Sequence, residues 1–402
     1  MNLEACRGGV VSCAYELWIM NCELEKYMRR CLQLARCGAA GAPPNPMVGA
    51  VLVAEGRIIG EGYHRQCGGP HAEVNALASV RERDLIPRST LYVSLEPCAH
   101  YGKTPPCADL IIRERIPRVV VGCRDTFARV NGLGIRKMQE AGIEVVVGVL
   151  EQECRWLNRR FFTFHGEGRP WVTLKWAQSR DGFIDRRRAD ASVPPEMLSS
   201  PFTQVLVHRL RARSQAILVG TRTALLDNPS LTTRLWPGPN PLRLTIDRHG
   251  MLPADLRMFG GDAPWHVYPT GDVDEILSDL HRRGIQTLLV EGGATLLQTF
   301  IDAGRWDEAR VETSPVTLGT GVAAPQIEGA WMRSRQLIDG HTIDWVERRR
   351  EGEVKSLYSF TPWRSTLLPP MEHAPPDDGF CCTISGCLAT RLPNPCRGAL
   401  RL

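Results

Sequence analysis

The sequence predicts an α/β protein throughout: a three-layer α/β domain followed by a second α/β domain. Three observations carry the prediction. Short β-branched runs alternate with segments whose apolar residues recur at helical spacing. The chain of 402 residues is too long for one typical domain. Gly166, Gly168 and Pro170 break the chain between two such alternating blocks.

In the first block Leu24, Met28, Cys31, Leu32 and Ala35 fall on one helical face, which predicts a helix over 23–37, ended by Gly38 and Gly41. Apolar runs at 48–53 and 58–59 flank Glu55-Gly56 as hairpin strands do. A helix follows His71, with Val74, Leu77 and Ala78 on one face, and a strand at 91–95 delivers Cys98. Cys107 opens a helix through Ile112, and RVVVGC and IEVVVGV read as buried strands around a helix at 135–140. The order αββαβαβαβ closes a domain over 23–150, and residues 151–170 read as a helical connector.

The second domain spans 171–363. A strand at 171–177 and the runs SQAILVG, PLRLTID and TLLVEGG interleave with helices at 201–212 and 294–303, and EVKSLYSF reads as a last strand. Residues 1–22 read as an N-terminal extension rather than a signal peptide, because Glu16 interrupts their apolar stretch; Met20 is an alternative start. Residues 364–402 are Pro-rich and irregular, which predicts a disordered tail. Its Cys381, Cys382, Cys387 and Cys396 leave a small metal knuckle as the alternative, although their spacing fits no zinc pattern.

Composition narrows the function. At 43% hydrophobic and 23% charged, the chain builds ordinary globular cores. A net charge of +5 suits a phosphate-bearing small-molecule substrate and leaves no nucleic-acid footprint. Fourteen scattered cysteines in so long a chain fit a reducing, cytoplasmic location. No apolar run approaches the roughly 18 residues of a membrane span.

The chemistry concentrates between His71 and Cys107. One imidazole, His71, and two thiols, Cys98 and Cys107, supply three soft donors, and three protein ligands are what a catalytic zinc takes when it keeps a position for water. Glu73, two residues after His71, can move a proton beside the metal without binding it. His-x-Glu followed by Pro-Cys is the signature of zinc deaminases, seen here as His71-Ala72-Glu73 and Pro97-Cys98. The second cysteine departs from it, since eight residues separate Cys98 from Cys107. Taken singly, each of the three donors reads better as a buried structural thiol or a core histidine; it is the four positions together, with Glu73, that point to zinc.

That long insertion, LEPCAHYGKTPPC, resembles the deaminase half of the bifunctional riboflavin-biosynthesis deaminase/reductase (RibD) family. The resemblance implies a cytidine-deaminase fold, zinc ligands at His71, Cys98 and Cys107, a proton shuttle at Glu73, and pyrimidine or phosphate contacts at Asn45, His64, His100 and Lys103.

In the second domain, VEGG before a helix offers free backbone N–H groups for a phosphate, although a plain strand–turn–helix corner explains it equally. LKWAQSRDGFI, HRLRARSQAILVGTRTALLDNPSLTTR and LLVEGGATLLQTFIDAG resemble the successive motifs of the same family's reductase half. That likeness implies a dihydrofolate-reductase-like fold using NADPH, met by Ala177, Thr223, Asp227, Gly292 and Gly293. It places Lys175, Arg211, Leu231, Arg234 and Glu291 against the substrate, and implies a homo-oligomer formed through this domain. Asp227 or Glu291 would handle the sugar proton. One stretch departs: where the family carries S-x-W-I-T, DRRRADASVPPEMLSSP puts Pro195 and Met197, in a loop about four residues longer.

The expected function is a zinc-dependent pyrimidine deaminase joined to an NADPH-dependent reductase of riboflavin synthesis. Two alternatives stand beside it. One is a deaminase with a degenerate second half, motivated by Pro195 and Met197. The other is a nucleic-acid-binding or tRNA-editing deaminase, against which the lack of a basic, aromatic-interleaved stretch argues.

Overall fold

A computed structural model describes residues 7–349 apart from His100, 102–104 and 126–131, with side chains from Asn21 onward. The first sheet is built from β1 (Gly49–Ala54), β2 (Arg57–Tyr63), β3 (Thr90–Leu95), β4 (Arg118–Cys123) and β5 (Glu144–Val147), in the order β2-β1-β3-β4-β5. β1 runs antiparallel to both β2 and β3, and β3, β4 and β5 are parallel. Its helices are α1 (Arg7–Cys37), α2 (Ala72–Ala78), α3 (Cys107–Arg113) and α4 (Leu133–Glu140). This is the αββαβαβαβ order read from the sequence.

Strand alternation makes the three layers. Val51, Val53, Tyr92 and Val120 pack against Met28, Cys31 and Leu32 of α1. The intervening residues Ala50, Leu52, Leu91, Val93, Val119 and Val121 pack against Ala76 and Leu77 of α2 and Ile111 of α3. The β1–β2 turn takes both its residues, Glu55 and Gly56, through positive φ, as a two-residue hairpin requires. α1 begins at Arg7 rather than near Glu23, because no glycine or proline between Val10 and Glu23 stops the helix.

The connector is helical as expected, in α5 (Glu151–Leu157) and α6 (Arg159–Glu167). Beyond it come β6 (Trp171–Gln178), β7 (Phe183–Asp185), α7 (Pro201–Arg211), β8 (Ala216–Val219), α8 (Thr221–Asp227) and β9 (Leu242–Ile246). They are followed by β10 (Trp265–Tyr268), α9 (Val273–Arg282), β11 (Thr287–Val290), α10 (Ala294–Asp302), β12 (Glu308–Thr313), β13 (Val322–Ala323), β14 (Ala330–Ile338) and β15 (His341–Arg348). The eight-stranded sheet has the order β10-β9-β8-β11-β6-β12-β15-β14; β10 through β12 are parallel, and β15 and β14 add antiparallel. One face buries Val172, Leu174 and Leu288 against α9 and α10; the other packs Ile217, Val219 and Leu289 against Leu210 of α7 and Ala224 of α8.

The strands at 171–177 and in the three quoted runs, and the helices at 201–212 and 294–303, form as read. The sequence reading passed over β7, β10, β12, β13, β14, β15, α8 and α9. β12 hid itself by charge: Glu308, Arg310 and Glu312 are buried in it and partnered there, where a strand pattern would ask for apolar side chains. The expected strand EVKSLYSF and the cysteine-bearing tail lie outside the described residues.

Both sheets belong to one compact unit, and a stack of rings and guanidiniums joins the connector to the second. Arg159 lies over Trp156 and Trp171 at 4.2 and 5.2 Å, and Arg333 over Trp156 and Trp345 at 5.1 and 4.9 Å. Beneath them Glu308 accepts from Arg333 at 2.8 Å and from the Thr173 hydroxyl at 3.1 Å. Burial pushes the Glu308 carboxyl up, but the charges of Arg159, Arg333 and Arg160 outweigh it and hold it at about 2.

Candidate functional site

Three corners of the first sheet converge. His71 occupies the position just before α2, Cys98 follows β3, and Cys107 is the first residue of α3. Their donor atoms all lie within 4.8 Å of one another, and they are the one such group of three or more among the described residues. His71 Nδ1 is 3.6 Å from Cys98 Sγ and 3.3 Å from Cys107 Sγ. Tetrahedral zinc, with Zn–N near 2.05 Å and Zn–S near 2.3 Å, sets a nitrogen and a sulfur about 3.6 Å apart. The donor set therefore fits zinc in both chemistry and span, and leaves a fourth position for water. The Cys107 N–H donates to Cys98 Sγ at 3.3 Å. Hydrogen bonds from Cys107 and then His71, against the effect of burial, push the Cys98 thiol down to about 4, while the same pairing pushes Cys107 up. One sulfur of the pair is thus prepared as a thiolate.

Glu73 sits in the first turn of α2, 3% exposed. Burial pushes its carboxyl up to about 7, against the attraction of His71, and no arginine or lysine is among the groups acting on it. A carboxyl poised there exchanges protons readily near neutrality. Strand β2 brings α2 this close because it carries Gly62, where a Cβ would overlap the backbone of Ala72, Asn75 and Ala76.

Asn45 and His64 join the same site. His64 Nδ1 lies 3.0 Å from the Pro70 carbonyl, which can only accept, so Nδ1 carries the proton and Nε2 accepts from the Asn45 amide at 3.1 Å. Burial lowers the His64 pKa and keeps the ring neutral, and it stands edge-on to His71 at 5.4 Å between centroids. His100 and Lys103 lie outside the described residues.

In the second sheet the structure draws most of the expected residues into one polar cluster on the α7 face. Arg211 grips Glu291 with two parallel bonds, Nε to Oε1 at 2.9 Å and Nη2 to Oε2 at 2.6 Å. Burial would raise the Glu291 carboxyl, but the charge and hydrogen bonds of Arg211, with Lys175, hold it at about 2. Lys175 is deeply set in β6, and burial lowers its pKa against the attraction of Glu291. Arg234 donates its backbone N–H to His208 Nδ1 at 2.8 Å, and burial beside Arg211 and Arg234 pushes His208 down to about 4. Leu231 is 2% exposed and packs with Leu210 and Ile217, so its side chain belongs to the core beneath this cluster.

Of the residues expected against NADPH, Thr223, Gly292 and Gly293 meet at the turn from β11 into α10. Gly292 has φ of +126°, open to glycine at little cost, and joins Gly293 through a cis peptide bond. A Cβ at position 293 would come within 3.2 Å of the Thr223 hydroxyl, so the turn and α8 form a cradle that a larger residue would fill. Ala177 lies on β6 two residues beyond Lys175. Asp227 is not free: Arg188 Nη2 donates to it, and Arg188 Nε donates to Asp185 at 2.7 Å. Arg188 comes from the loop that departs from the family pattern, whereas Met197 of that loop is 67% exposed.

Arg188, His208 and the buried Arg310–Glu312 pair escaped the sequence reading. For the last there was a signal, alternate charged residues in a short run between β-forming neighbours.

Comparison with known proteins accounts for both halves. Residues 22–123 match the cytidine and deoxycytidylate deaminase zinc-binding region, and residues 170–342 match the RibD C-terminal domain. The chain is 38% identical over 325 residues to riboflavin biosynthesis protein RibD of Aquifex aeolicus, covering 75% of this chain and 90% of that protein. It is 35% identical over 331 residues to RibD of Escherichia coli, covering 74% and 89%. The crystal structure of a diaminohydroxyphosphoribosylaminopyrimidine deaminase/5-amino-6-(5-phosphoribosylamino)uracil reductase from Thermotoga maritima superposes with a TM-score of 0.73 at 36% identity, over 82% of this chain and 99% of that one. No helix among the described residues is long and apolar enough to cross a membrane. With both family regions present in order, and likeness running almost the full length of its relatives, the chain belongs to the RibD family, as a bifunctional zinc-dependent deaminase and NADPH-dependent reductase of riboflavin biosynthesis.

Proposed function

We propose that residues 23–150 hydrolytically deaminate 2,5-diamino-6-ribosylamino-4(3H)-pyrimidinone 5′-phosphate. Residues 171–363 then reduce the ribosyl side chain of 5-amino-6-(5-phosphoribosylamino)uracil to ribityl. The observation that carries the reading is the His71–Cys98–Cys107 set, spaced for zinc, with the buried Glu73 carboxyl in the first turn of the helix that follows His71.

Zinc bound there lowers the pKa of water toward 7 and so supplies the nucleophile. Glu73 accepts a proton at its carboxylate and returns one to the departing amine. The neutral His64 holds the Asn45 amide by its nitrogen, which leaves the Asn45 carbonyl to meet the pyrimidine edge. His100 and Lys103 complete the substrate contacts.

In the second half, Ala177, Thr223, Asp227 and the Gly292-Gly293 turn hold NADPH, which supplies hydride when bound. Arg211 and Arg234 meet the anionic substrate, with Leu231 beneath them. Glu291 stays ionised in the grip of Arg211, so it orients the ribosyl hydroxyls rather than donating a proton. Lys175 lies beside it as a cation whose proton burial loosens.

The partner is a small phosphorylated pyrimidine, not a nucleic acid, and the enzyme works in the cytoplasm; the modest net charge supports the first of these. Association of copies through the reductase half is supported by β14, which ends the large sheet and exposes Leu337 and Met332. The test supplies the zinc-loaded protein with the diaminopyrimidine phosphate, then NADPH, and follows ammonia and NADPH absorbance separately. Ammonia release before NADPH is added, followed by NADPH oxidation, is the expected course. NADPH oxidation without prior ammonia release would overturn the order of steps, and no ammonia at all would overturn the substrate.

A further inference from the structure

The loop that carries Asn45 is held from outside its own sheet. Pro43 and Pro44 are exposed and Asn45 to Met47 are only half-buried, so side-chain packing does little to fix this segment. Hydrogen bonds do it instead, from two buried amides. Gln286, 5% exposed, donates its side-chain N–H to the Pro44 carbonyl at 2.7 Å. Asn158, 2% exposed, takes both backbone groups of one residue: its Oδ1 accepts from the Met47 N–H at 2.8 Å and its Nδ2 donates to the Met47 carbonyl at 2.9 Å.

Neither residue belongs to the deaminase sheet. Asn158 joins α5 to α6 in the connector. Gln286 immediately precedes β11 of the reductase sheet, where its own backbone is pinned on both sides. Its N–H donates to Gln215 Oε1 at 2.5 Å, and its carbonyl accepts from the Trp171 N–H at 2.9 Å. The anchored loop then passes its position inward. Asn45 bonds His64 at 3.1 Å, and His64 bonds the carbonyl of Pro70, next to His71.

We infer that Gln286 and Asn158 are positioning residues for deamination: gripping the loop at Pro44 and Met47, on either side of Asn45, they set that amide where the pyrimidine binds. The reductase half is thus a structural part of the deaminase site. The inference rests on the reading of Asn45 as a substrate contact.

The experiment uses full-length, zinc-loaded protein and four single variants: Asn45→Ala, Gln286→Met, Gln286→Glu and Asn158→Leu. Gln286→Glu keeps the shape and exchanges the donor for a carboxylate oxygen that repels the Pro44 carbonyl, so it decides the matter where the methionine variant fails to fold. Each position-286 or position-158 variant should raise the deaminase KM about fivefold to tenfold, the size of one net hydrogen bond. Deaminase kcat, bound zinc and NADPH oxidation on separately supplied deaminated substrate should stay within about twofold, a split that general loosening of the fold would not give. Combining Gln286→Met with Asn158→Leu should raise KM by less than the product of the single effects, because both act through one loop. If Asn45→Ala raises KM and the other variants do not, the inference is wrong and the site reading stands. If Asn45→Ala leaves KM unchanged, the site reading itself fails and takes the inference with it. Equal losses in deamination, zinc and NADPH oxidation would mean that the two amides only stabilise the fold.

Discussion

Glu73 and Glu291 are both carboxylates sunk in the protein, and their surroundings drive them in opposite directions. Glu73 has no arginine or lysine among the groups acting on it, and burial, against the attraction of His71, lifts it to about 7. Glu291 is equally enclosed, but the two-pronged grip of Arg211 overcomes burial and holds it at about 2. The difference fits the proposed roles: a carboxyl near neutrality is suited to carrying protons, whereas one locked in an ion pair is a fixed charge suited to orienting what binds it. The sequence had offered Asp227 or Glu291 for the sugar proton. The structure pairs each with an arginine, Arg188 and Arg211 respectively, which supports the proposed positioning role for Glu291.

Breaking the first member of this pair should have the largest effect. Glu73→Gln keeps the shape and removes the proton carrier, and kcat for ammonia release should fall by about a thousandfold. Bound zinc and NADPH oxidation on separately supplied deaminated substrate should be unchanged; a variant that kept full deaminase turnover would dismiss the assignment.

Breaking the second member should cost stability more than it reveals chemistry. Arg211→Met leaves the Glu291 charge buried without its partner, worth about 3 to 5 kcal/mol, read as a lowered denaturation midpoint. Replacing both, in Arg211→Met with Glu291→Gln, should recover much of that loss.

Acid sharpens the contrast with a smaller effect. Glu291 and Glu308 are held at about 2 in the folded protein against an ordinary 4.5, so each contributes stability that is present above pH 4.5 and lost as the pH falls toward 2. Denaturation midpoints followed through that window should drop less steeply in Glu308→Gln than in the parent. Equal slopes would mean that the guanidiniums around Glu308 do not act on it.

The two halves were not equally legible in the sequence. A histidine and two cysteines are uncommon donors, and the corners that bring them together can be read from short strand and helix signals, so the zinc site was visible almost whole. Lys175, Arg211 and Glu291 are common surface residue types, and only the resemblance singled them out; what the sequence lacked was the fact that a guanidinium and a carboxylate separated by 80 positions would meet. Gln286 and Asn158 left no signal at all, because an amide that bonds a backbone group 242 or 111 positions away has no local pattern. β12 failed for the opposite reason, carrying charges whose partners lie on neighbouring strands and helices.

The stack of Trp156, Arg159, Trp171, Arg333 and Trp345 bears on how one reaction follows the other. The ring and guanidinium contacts fasten the connector to the second sheet, which favours a fixed spacing between the two proposed centres. With that spacing fixed, the deaminated intermediate would do the travelling, and a competing trap in the surrounding solution should intercept it.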